Sequence, residues 1–392
     1  MRPKNYVTRV FADPSRIGAA QWDALLALDK DPSPFMRHAY LSALHASGCA
    51  VPDTGWAPAF LTLWQGDMLV AACPLYLKAH SYGEYVFDWA WADAHERHGL
   101  RYYPKALVAV PFTPVPGTRL LAQSDDARQA LLAELVNWCQ EQGLSSLHLL
   151  FARECDLAVC RDMGLLQRHT VQFHWHNDAQ HPHADFDAFL ARLQQEKRKK
   201  IRQERRKVSE AGVGFRWARG RDITDADWDF FYRCYERTYL EHRNAPYLNR
   251  EFFQRVAQSM PEHWLLFVAE REGCAIASSL IALDPDHGVA YGRYWGALER
   301  VDCLHFEACY YQPIAWCIAH GFKRFEGGAQ GEHKMARALL PVKTSSAHWL
   351  AHPAFADAVE RYLEREAEGV DHYLEDLRQR LPLRRDLPGA PS

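Results

Sequence analysis

The stretch that decides the fold is LLFVAEREGCAIASSLIALDPDHGVAYGRYWG, residues 265–296. It contains two apolar runs of strand length, Leu265–Glu270 and Ala275–Leu283, separated by the turn residues Arg271-Glu272-Gly273. This pattern predicts a β-hairpin. The aromatic run Val289–Trp295 follows at once and predicts a third strand. The stretch therefore predicts three consecutive strands of one sheet.

Helices are predicted on both sides of this stretch, over Asp225–Glu241 and over Leu304–His320, and a further strand begins at Arg324–Glu326. The same order of elements is found in the first half. Its predicted elements are a helix (Ala19–Leu28), a hairpin (Phe60–Trp64 and Met68–Leu77), an aromatic strand (Tyr85–Trp89), a helix (Asp125–Gln142) and a strand (Leu147–Phe151). Mixed helices and strands indicate an α/β (α+β) architecture. The repeated order predicts two tandem halves, each with a mixed central sheet flanked by helices.

One long helix, from Asp185 to Glu210, is predicted between the halves. The predicted domains are therefore residues 1–180, a basic linking helix at 181–212, and residues 213–392. Five basic side chains of this helix are candidates for binding phosphate groups or RNA: Arg198, Lys199, Arg202, Arg205 and Arg206. The alternative is a solvated charged face, which is the usual role of such runs.

Bulk properties restrict the function classes. The 392 residues are 48% hydrophobic and 24% charged, with a formal net charge of -3, so we expect a globular protein and no DNA partner. No run is long enough to span a bilayer, and the N-terminus has no secretory pattern. The 10 cysteines form no Cys-x-x-Cys pair or zinc-type spacing, which predicts reduced thiols, no metal and a cytoplasmic location.

The richest chemical segment is FEGGAQGEHKMAR, residues 325–337. Its glycines allow close approach of the backbone to a ligand, and it follows a predicted strand, where α/β sheets place ligands. It supplies two candidate catalytic residues, Glu332 and His333, and five candidate substrate-binding residues: Gly328, Gln330, Gly331, Lys334 and Arg337. The alternative is a tight turn whose charges face water.

Two neighbouring segments add further candidates. Period-two alternation predicts that Tyr291, Arg293 and Trp295 share one face of a strand, where they bind a planar or anionic substrate group. His305 and Glu307 are candidate general bases in the first turns of the next helix, and Tyr310 is a candidate substrate contact. An aromatic core and a helix-start carboxylate are the structural alternatives.

The first half is rich in aromatic residues around Trp89 and Trp91. These two side chains are candidates for the wall of a substrate cleft. Such residues more often belong to a hydrophobic core, and that alternative stays open.

Six motifs resemble a bacterial family called FemAB-like, or peptidoglycan biosynthesis/recognition, within the GNAT acyltransferase superfamily. They are Asp88–Asp93 (DWAWAD), Arg101–Lys105 (RYYPK), Pro111–Val115 (PFTPV), Arg293–Gly296 (RYWG), Leu304–Glu307 (LHFE) and Gly327–Lys334 (GGAQGEHK). The resemblance implies two tandem GNAT-like domains and an enzyme that forms amide bonds. It implies either an acyl thioester such as acyl-CoA or an aminoacyl-tRNA as donor, and a small-molecule or peptide amine as acceptor.

The donor is open on sequence grounds. The overall charge disfavours tRNA and favours an acyl thioester. However, the loop Gly296–Asp302 lacks the glycine-rich pyrophosphate pattern of CoA-dependent GNAT enzymes and carries Glu299 and Asp302. We therefore expect an N-acyltransferase. An aminoacyl-tRNA-dependent transferase and a non-catalytic binding protein for a cell-wall or peptide fragment are the alternatives.

Overall fold

The computed structural model describes residues 6–178, 180–329 and 331–384. The chain forms two compact units. The first comprises Met1–Thr170, Tyr247–Phe252 and Lys343–His372, and the second comprises Val171–Pro246, Phe253–Val342 and Tyr373–Ser392.

The elements up to His176 are β1 (Val7–Phe11), α1 (Ala19–Leu26), α2 (His38–Ala46), β2 (Trp56–Pro58), β3 (Phe60–Gln65), β4 (Met68–Cys73), β5 (Leu75–Lys78), α3 (Trp89–Arg97), β6 (Lys105–Val108), β7 (Leu121–Ala122), α4 (Asp125–Glu141), β8 (Ser146–Ala152), α5 (Glu154–Asp162) and β9 (Leu166–His176). The elements that follow are α6 (Phe186–Ala191), α7 (Gln195–Glu210), β10 (Val213–Arg219), α8 (Asp225–Glu241), α9 (Arg250–Ser259), β11 (Trp264–Arg271), β12 (Cys274–Asp284), β13 (Val289–Ala297), α10 (Leu304–Phe306), α11 (Gln312–Ala319), β14 (Arg324–Ala329), β15 (Leu340–Leu350) and α12 (Pro353–Gln379).

The first unit contains two sheets. One is antiparallel with the strand order β1-β3-β4-β7, and the other has the order β15-β8-β6-β5-β2, in which β6 and β8 run parallel. Residues of α4, such as Leu131 and Leu135, belong to the same buried core as the β8 residues Leu147 and Leu149. The mixed sheets and flanking helices agree with the predicted α/β (α+β) class.

The second unit contains the strand order β10-β11-β12-β13-β14-β9. The β11–β12 hairpin and β13 confirm the three strands predicted from residues 265–296. Thr224 caps α8 by accepting a hydrogen bond from the Asp227 backbone, and the Asp227 carboxylate bonds the Thr224 backbone in return. This capping box explains why the helix begins where its sequence predicts.

The predicted strand Tyr85–Trp89 is wrong. Residues 85–88 are irregular, and Trp89 begins α3. Tyr85 has a φ of +63°, which interrupts any extended strand. The prediction rested on the aromatic residues of the segment, which are typical of strands but occur here in an irregular segment.

The single linking helix is also wrong, because α6 and α7 are separated at Arg192–Gln194. Leu193 forms an isolated bridge with Leu383, and the Gln194 amide donates to the Pro382 carbonyl. The backbone at these positions therefore pairs with residues 382 and 383 and does not continue the helix.

The observed units differ from the domains predicted at 1–180, 181–212 and 213–392. Residues Lys343–His372 belong to the first unit, because the β15 residues Ser345–Leu350 pair with β8. Contacts that distant in sequence leave no compositional boundary. Among the described residues, no helix combines the length and apolar composition needed to cross a membrane.

Gly296 is required by close packing of β13 against α8. A Cβ atom at this position would lie 1.9 Å from the Cys234 carbonyl oxygen. We therefore expect Gly296→Ala to lower the free energy of unfolding by about 1–3 kcal/mol, as other overpacked sites do. Urea denaturation measures this. Gly214→Ala in β10 is the matched control, because nothing lies within 4 Å of its added Cβ. Equal stability of the two variants would contradict the packing argument.

Candidate active site

One edge of β13 is paired with a neighbouring strand along only part of its length in the described residues. β13 pairs with β14 in parallel only from Val289–Tyr291 to Arg324–Glu326. Both strands continue further, β13 to Ala297 and β14 to Ala329. Among the described residues, no register between them is found beyond Tyr291 and Glu326, so the two strands diverge. Beyond Tyr291 this side of β13 is therefore not covered by a paired strand among the described residues, and the Trp295 carbonyl accepts a hydrogen bond from Thr238 of α8 at 3.0 Å.

A β-bulge changes the predicted faces of β13. Tyr294 pairs with Leu280 while Gly292 pairs with Ile281, so Arg293 is the extra residue. Tyr291, Arg293 and Trp295 therefore do not form the simple one-face row that alternation predicted. Tyr291 is fully buried, whereas Arg293 is half-buried, with its guanidinium carbon 5.0 Å from the Tyr294 ring centroid. The structure places Tyr291 in the core and not at a surface.

The next helix brings His305 to the open part of β13. The helix runs through α10, a π-helical turn at Glu307–Tyr311, and α11. π-helical turns are frequent at functional sites. The His305 ring lies 5.4 Å from the Trp295 ring and 5.7 Å from the Tyr310 ring, centroid to centroid. Burial, with smaller contributions from His333, Arg337 and Lys334, lowers the pKa of His305 to about 4. His305 is therefore neutral at pH 7.

The glycine-rich segment meets the same helix. The Tyr310 hydroxyl lies 3.3 Å from His333 Nε2, and their rings are 6.1 Å apart. Gly331, with a φ of +96°, directly precedes the short 3-10 helix Glu332–Arg337. A side chain at Gly331 would collide with the His333 ring at 2.4 Å. The segment and the helix thus place His305, Tyr310 and His333 in one cluster.

Lys334 follows His333 in the same short 3-10 helix. It is buried, its ammonium donates to the Gly328 carbonyl at 3.3 Å, and Gly328 has a φ of +76°. Burial lowers the pKa of Lys334 to about 8. At pH 7 most of the Lys334 amine is therefore still protonated, although less completely than an exposed lysine.

Arg337 has a structural role, because its guanidinium group contacts other side chains of the fold. Its guanidinium carbon lies 3.5 Å from the centre of the Phe306 ring, and its Nη2 donates to both oxygens of Glu204, at 3.0 and 2.8 Å. The Tyr311 hydroxyl donates to the same carboxylate. Sequence reasoning missed Glu204. The spacing of Glu204 could have indicated its burial, because it lies three residues after Ile201 and four before Val208, on the buried face of α7.

Two predicted catalytic carboxylates are already engaged. Glu332 is exposed, accepts a hydrogen bond from Tyr373 at 3.0 Å and pairs with Arg380 at 3.5 Å. Glu307 is buried and accepts from Arg205 Nε at 3.1 and 3.2 Å and from Gln312 Nε2 at 2.7 Å. Burial raises the pKa of Glu307, and the Arg205 charge opposes that rise. Arginine side chains pair with both acids, whereas His333 contacts the neutral Tyr310 hydroxyl.

Two grooves follow the basic helix α7. The first, of about 500 Å³, is lined by Asp187, Leu190, Arg202, Arg205, Arg206, Val208, Ser209, Val213, Phe215, Glu307 and Gln312. The second, of about 600 Å³, is lined by Gln195, Arg198, Lys199, Arg202, Gln203 and Arg206. The ion pairs of Arg202 with Asp187 (3.8 Å) and of Arg206 with Glu210 (3.6 Å) are exposed. Such pairs are weak, so these guanidinium groups remain able to bind phosphate.

The loop after β13 does not fit the pyrophosphate of CoA. The one glycine of the predicted Gly296–Asp302 loop, Gly296, lies within β13, and the α8 backbone occupies the space where its Cβ would be, so it is not a phosphate cradle. Glu299 pairs with Arg271, and Asp302 is exposed, 3.9 Å from Lys207. These two carboxylates would repel phosphate at the N-terminus of the following helix. No group of three or more His, Cys, Asp or Glu side chains suitable for a metal occurs in the described parts of the chain.

The predicted substrate-cleft residues Trp89 and Trp91 belong to the first unit. Gln330 lies outside the described residues. Trp91 is in the core of the first unit, 5.0 Å from the His348 ring, whereas Trp89 is 37% exposed.

Comparisons with known proteins agree with this architecture. Residues 13–385 match the model of the FemAB-like family, described as peptidoglycan biosynthesis/recognition. The fold is similar to that of FemX, with 10% sequence identity over 88% of this chain and 99% of that chain and a TM-score of 0.54. It is also similar to L-PGS from Bacillus licheniformis, with 12% identity over 88% of this chain and 97% of that chain and a TM-score of 0.52. A search of curated protein sequences gave no match.

At such low identity the solved structures show a similarity of fold alone. The family match covers almost the whole length. The chain therefore belongs to the FemAB-like family and is a transferase of acyl or aminoacyl groups.

Proposed function

We propose that the protein is an N-acyltransferase that joins an activated acyl group to an amine on the open edge of β13. The observation that carries the proposal is the divergence of β13 from β14 beside the cluster of His305, Tyr310 and His333. Backbone groups of a diverging strand can hold the acyl carbonyl, and a neutral imidazole can accept the amine proton. The acceptor is the amine of a small molecule, a peptide or a cell-wall precursor.

The reaction forms one amide bond and breaks one bond to the leaving group. The neutral amine attacks the acyl carbon, and its proton moves to His305. The C–S or C–O bond to the donor then breaks, and the departing thiolate or alkoxide takes that proton. His333 and Tyr310 orient the acceptor in this scheme. The positive charge of Lys334 stabilises the negative charge that develops on the acyl oxygen.

The donor is a phosphate-bearing molecule that lies along the basic face of α7. Phosphate groups would bind Arg198, Arg202 and Arg206, which line the two grooves. The overall charge favours an acyl thioester as donor. The length of the basic face and the acidic loop after β13 favour the second candidate, an aminoacyl-tRNA, whose backbone offers repeated phosphates.

A donor panel tests the proposal. Purified protein is incubated with an amine-bearing cell-wall pentapeptide and either acetyl-CoA, longer acyl-CoA thioesters or a mixture of aminoacyl-tRNAs, and new amides are detected by mass spectrometry. Amide formation with one donor class identifies the donor. Absence of any acylated amine across the panel, with cell-wall peptides and free amines as acceptors, would refute the proposal.

Neutralising the face of α7 should weaken donor binding more than catalysis. We expect the triple variant Arg198→Ala, Arg202→Ala, Arg206→Ala to raise KM for the donor at least tenfold while kcat changes less than about twofold. With an RNA donor, the slope of log K against log salt should also fall by about 2–3 units. The control variant replaces three exposed arginines of α12 with alanine: Arg361, Arg365 and Arg378. Equal effects of the two triples on KM would contradict the assignment of α7.

A further inference from the structure

The buried face of α7 carries one charged side chain, Glu204, which lies between the buried residues Ile201 and Val208. A buried carboxylate is costly unless partners replace the water that it loses. Apolar side chains of similar volume often replace buried ion pairs without any loss of stability. Packing and stability therefore do not explain why this position of α7 holds a carboxylate.

Two donors from different elements meet at this carboxylate. The Tyr311 hydroxyl donates to Glu204 Oε2, and Arg337 Nη2 lies 2.8 Å from Oε2 and 3.0 Å from Oε1. Burial raises the pKa of Tyr311, so its hydroxyl keeps the proton that it donates. Tyr311 is the last residue of the π-helical turn and Arg337 is the last residue of the 3-10 helix. Glu204 therefore fixes the ends of both elements at one point.

Arg337 connects Glu204 to the acyl-transfer cluster. Its Nη1 donates to the His333 carbonyl at 2.6 Å, and its guanidinium carbon lies 3.5 Å from the centre of the Phe306 ring. The Phe306 ring in turn lies 6.1 Å from the His333 ring. A planar guanidinium presents its donors in fixed directions, so it can hold a carboxylate and a carbonyl at the same time. The placement of the His333 backbone thus depends on Arg337, and the placement of Arg337 depends on Glu204.

His333 needs such support because of where it lies. Its side chain is exposed, and it belongs to a 3-10 helix of only six residues. Short 3-10 helices have poorer hydrogen-bond geometry than α-helices. A group that takes part in a reaction has to be held to within about 0.5 Å by residues that are themselves fixed. The buried pair of Glu204 and Arg337 supplies this support from the interior.

We propose that Glu204 is a positioning residue for acyl transfer: its carboxylate fixes Arg337, and Arg337 fixes the backbone of His333, whose ring orients the acceptor amine. The inference rests on the proposed function for the reaction, but the orientation of the His333 ring can be measured without turnover. It gives α7 two roles, with donor phosphates on its exposed basic face and alignment of the acyl-transfer cluster by its buried face.

Glu204→Gln keeps the size of the side chain and removes its charge. We expect kcat to fall about three- to tenfold and KM for the donor to stay within about twofold, because the effect of Glu204 on the reaction is limited to that of His333. Asp227→Asn is the matched control, since Asp227 is also a buried carboxylate of the second unit and pairs with Arg216 at 2.6 Å. Its kcat should stay within twofold of wild type.

The double variant Glu204→Gln, Arg337→Met separates positioning from stability. Removing the carboxylate alone leaves a buried guanidinium unpaired, which destabilises the fold. The double variant has no unpaired charge at this point, and the flexible methionine fills the space of the arginine stem. We expect its urea midpoint to lie closer to wild type than that of Glu204→Gln, while kcat stays about three- to tenfold low. A role in stability alone would restore kcat together with the midpoint.

The variant His333→Ala shows whether Glu204 acts through His333. In the His333→Ala background, Glu204→Gln should lower kcat by less than about twofold, because the group that it positions is already absent. Independent effects would multiply instead. Nuclear magnetic resonance of isotope-labelled histidines supplies a measurement without turnover. The ring signal of His333, assigned by its loss in His333→Ala, should shift in the double variant, whereas the signal of His320 should not.

Four results would overturn the inference: an equal loss of kcat in Asp227→Asn, recovery of kcat with stability in the double variant, multiplying effects with His333→Ala, or an unchanged His333 signal. Any of these with normal transfer by the wild type would remove this inference alone. A shifted His333 signal in a protein that forms no amide with any donor would remove the proposed function alone.

Discussion

Replacing His305 with alanine should lower kcat by roughly 10²- to 10⁴-fold, the usual contribution of a general base. KM for the donor should change little, since His305 lies at the open edge of β13 and not among the basic side chains of α7. Steady-state kinetics with the donor identified by the panel provide the measurement. His320→Ala is the matched control, because His320 is exposed at the far end of the same helix, where it stacks on Trp316.

The other predicted bases give distinct outcomes. His333→Ala should lower kcat about tenfold, because His333 contacts Tyr310 and is more exposed than His305. Glu332→Gln should be nearly neutral, since this carboxylate faces solvent and is held by Tyr373 and Arg380. A larger loss in His333→Ala than in His305→Ala would transfer the role of base to His333.

The pH profile supplies an independent check on His305. Only the neutral imidazole accepts a proton, and burial lowers the pKa of His305 to about 4. Its contribution to kcat/KM should therefore be constant above about pH 5 and be lost as the pH falls through 4. An acid limb near 6.5, the value of an unperturbed histidine, would indicate a different base.

Lys105→Met should lower the free energy of unfolding by about 3–5 kcal/mol, because it leaves two buried carboxylates without their cation. Burial opposes the charge on Lys105, but Glu84 and Asp88 more than compensate, so the pKa of Lys105 is raised. Burial raises the pKa of Glu84 to about 7, and we regard the Lys105–Asp88 pair as the firm ion pair of the group. Urea denaturation measures the loss.

Lys78→Met is the matched control, because Lys78 is equally buried and burial lowers its pKa to about 7. Its loss should be about 1–2 kcal/mol, the contribution of one hydrogen bond and of the contact of its ammonium with the Trp56 ring, 3.7 Å from the ring centroid. Adding Glu84→Gln and Asp88→Asn to Lys105→Met should restore part of the stability, because no unpaired charge then remains in the interior. A loss in Lys105→Met below about 1 kcal/mol would contradict a stabilising contribution of the ion pairs between Lys105 and the carboxylates of Glu84 and Asp88.

The local patterns that were predicted correctly are those with a local cause. The β11–β12 hairpin follows from its turn residues, and α8 follows from the Thr224 cap. The Tyr85–Trp89 strand was wrong because aromatic residues, although typical of strands, also occur in irregular segments, and here Tyr85 has a φ of +63°. The helix break at Leu193 depends on a segment almost two hundred residues away, which local periodicity cannot reveal.

The same distinction applies to the candidate site. The motifs identified the helix with His305 and Tyr310 and the segment with His333, and the structure brings these three residues together. The β-bulge at Arg293 was not predictable from alternation, which assumes unbroken pairing. The partners of Glu307 and Glu332 were also invisible in the sequence, since Arg205 and Tyr373 approach only in the folded chain.

The most direct test of the central claim is a crystal structure of the protein with a stable amide analogue of the donor that the transfer assay selects. The acyl group should lie against residues 292–297 of β13, with its carbonyl carbon beside His305 and the donor phosphates on α7. An acyl group bound elsewhere, out of contact with both β13 and His305, would contradict the account.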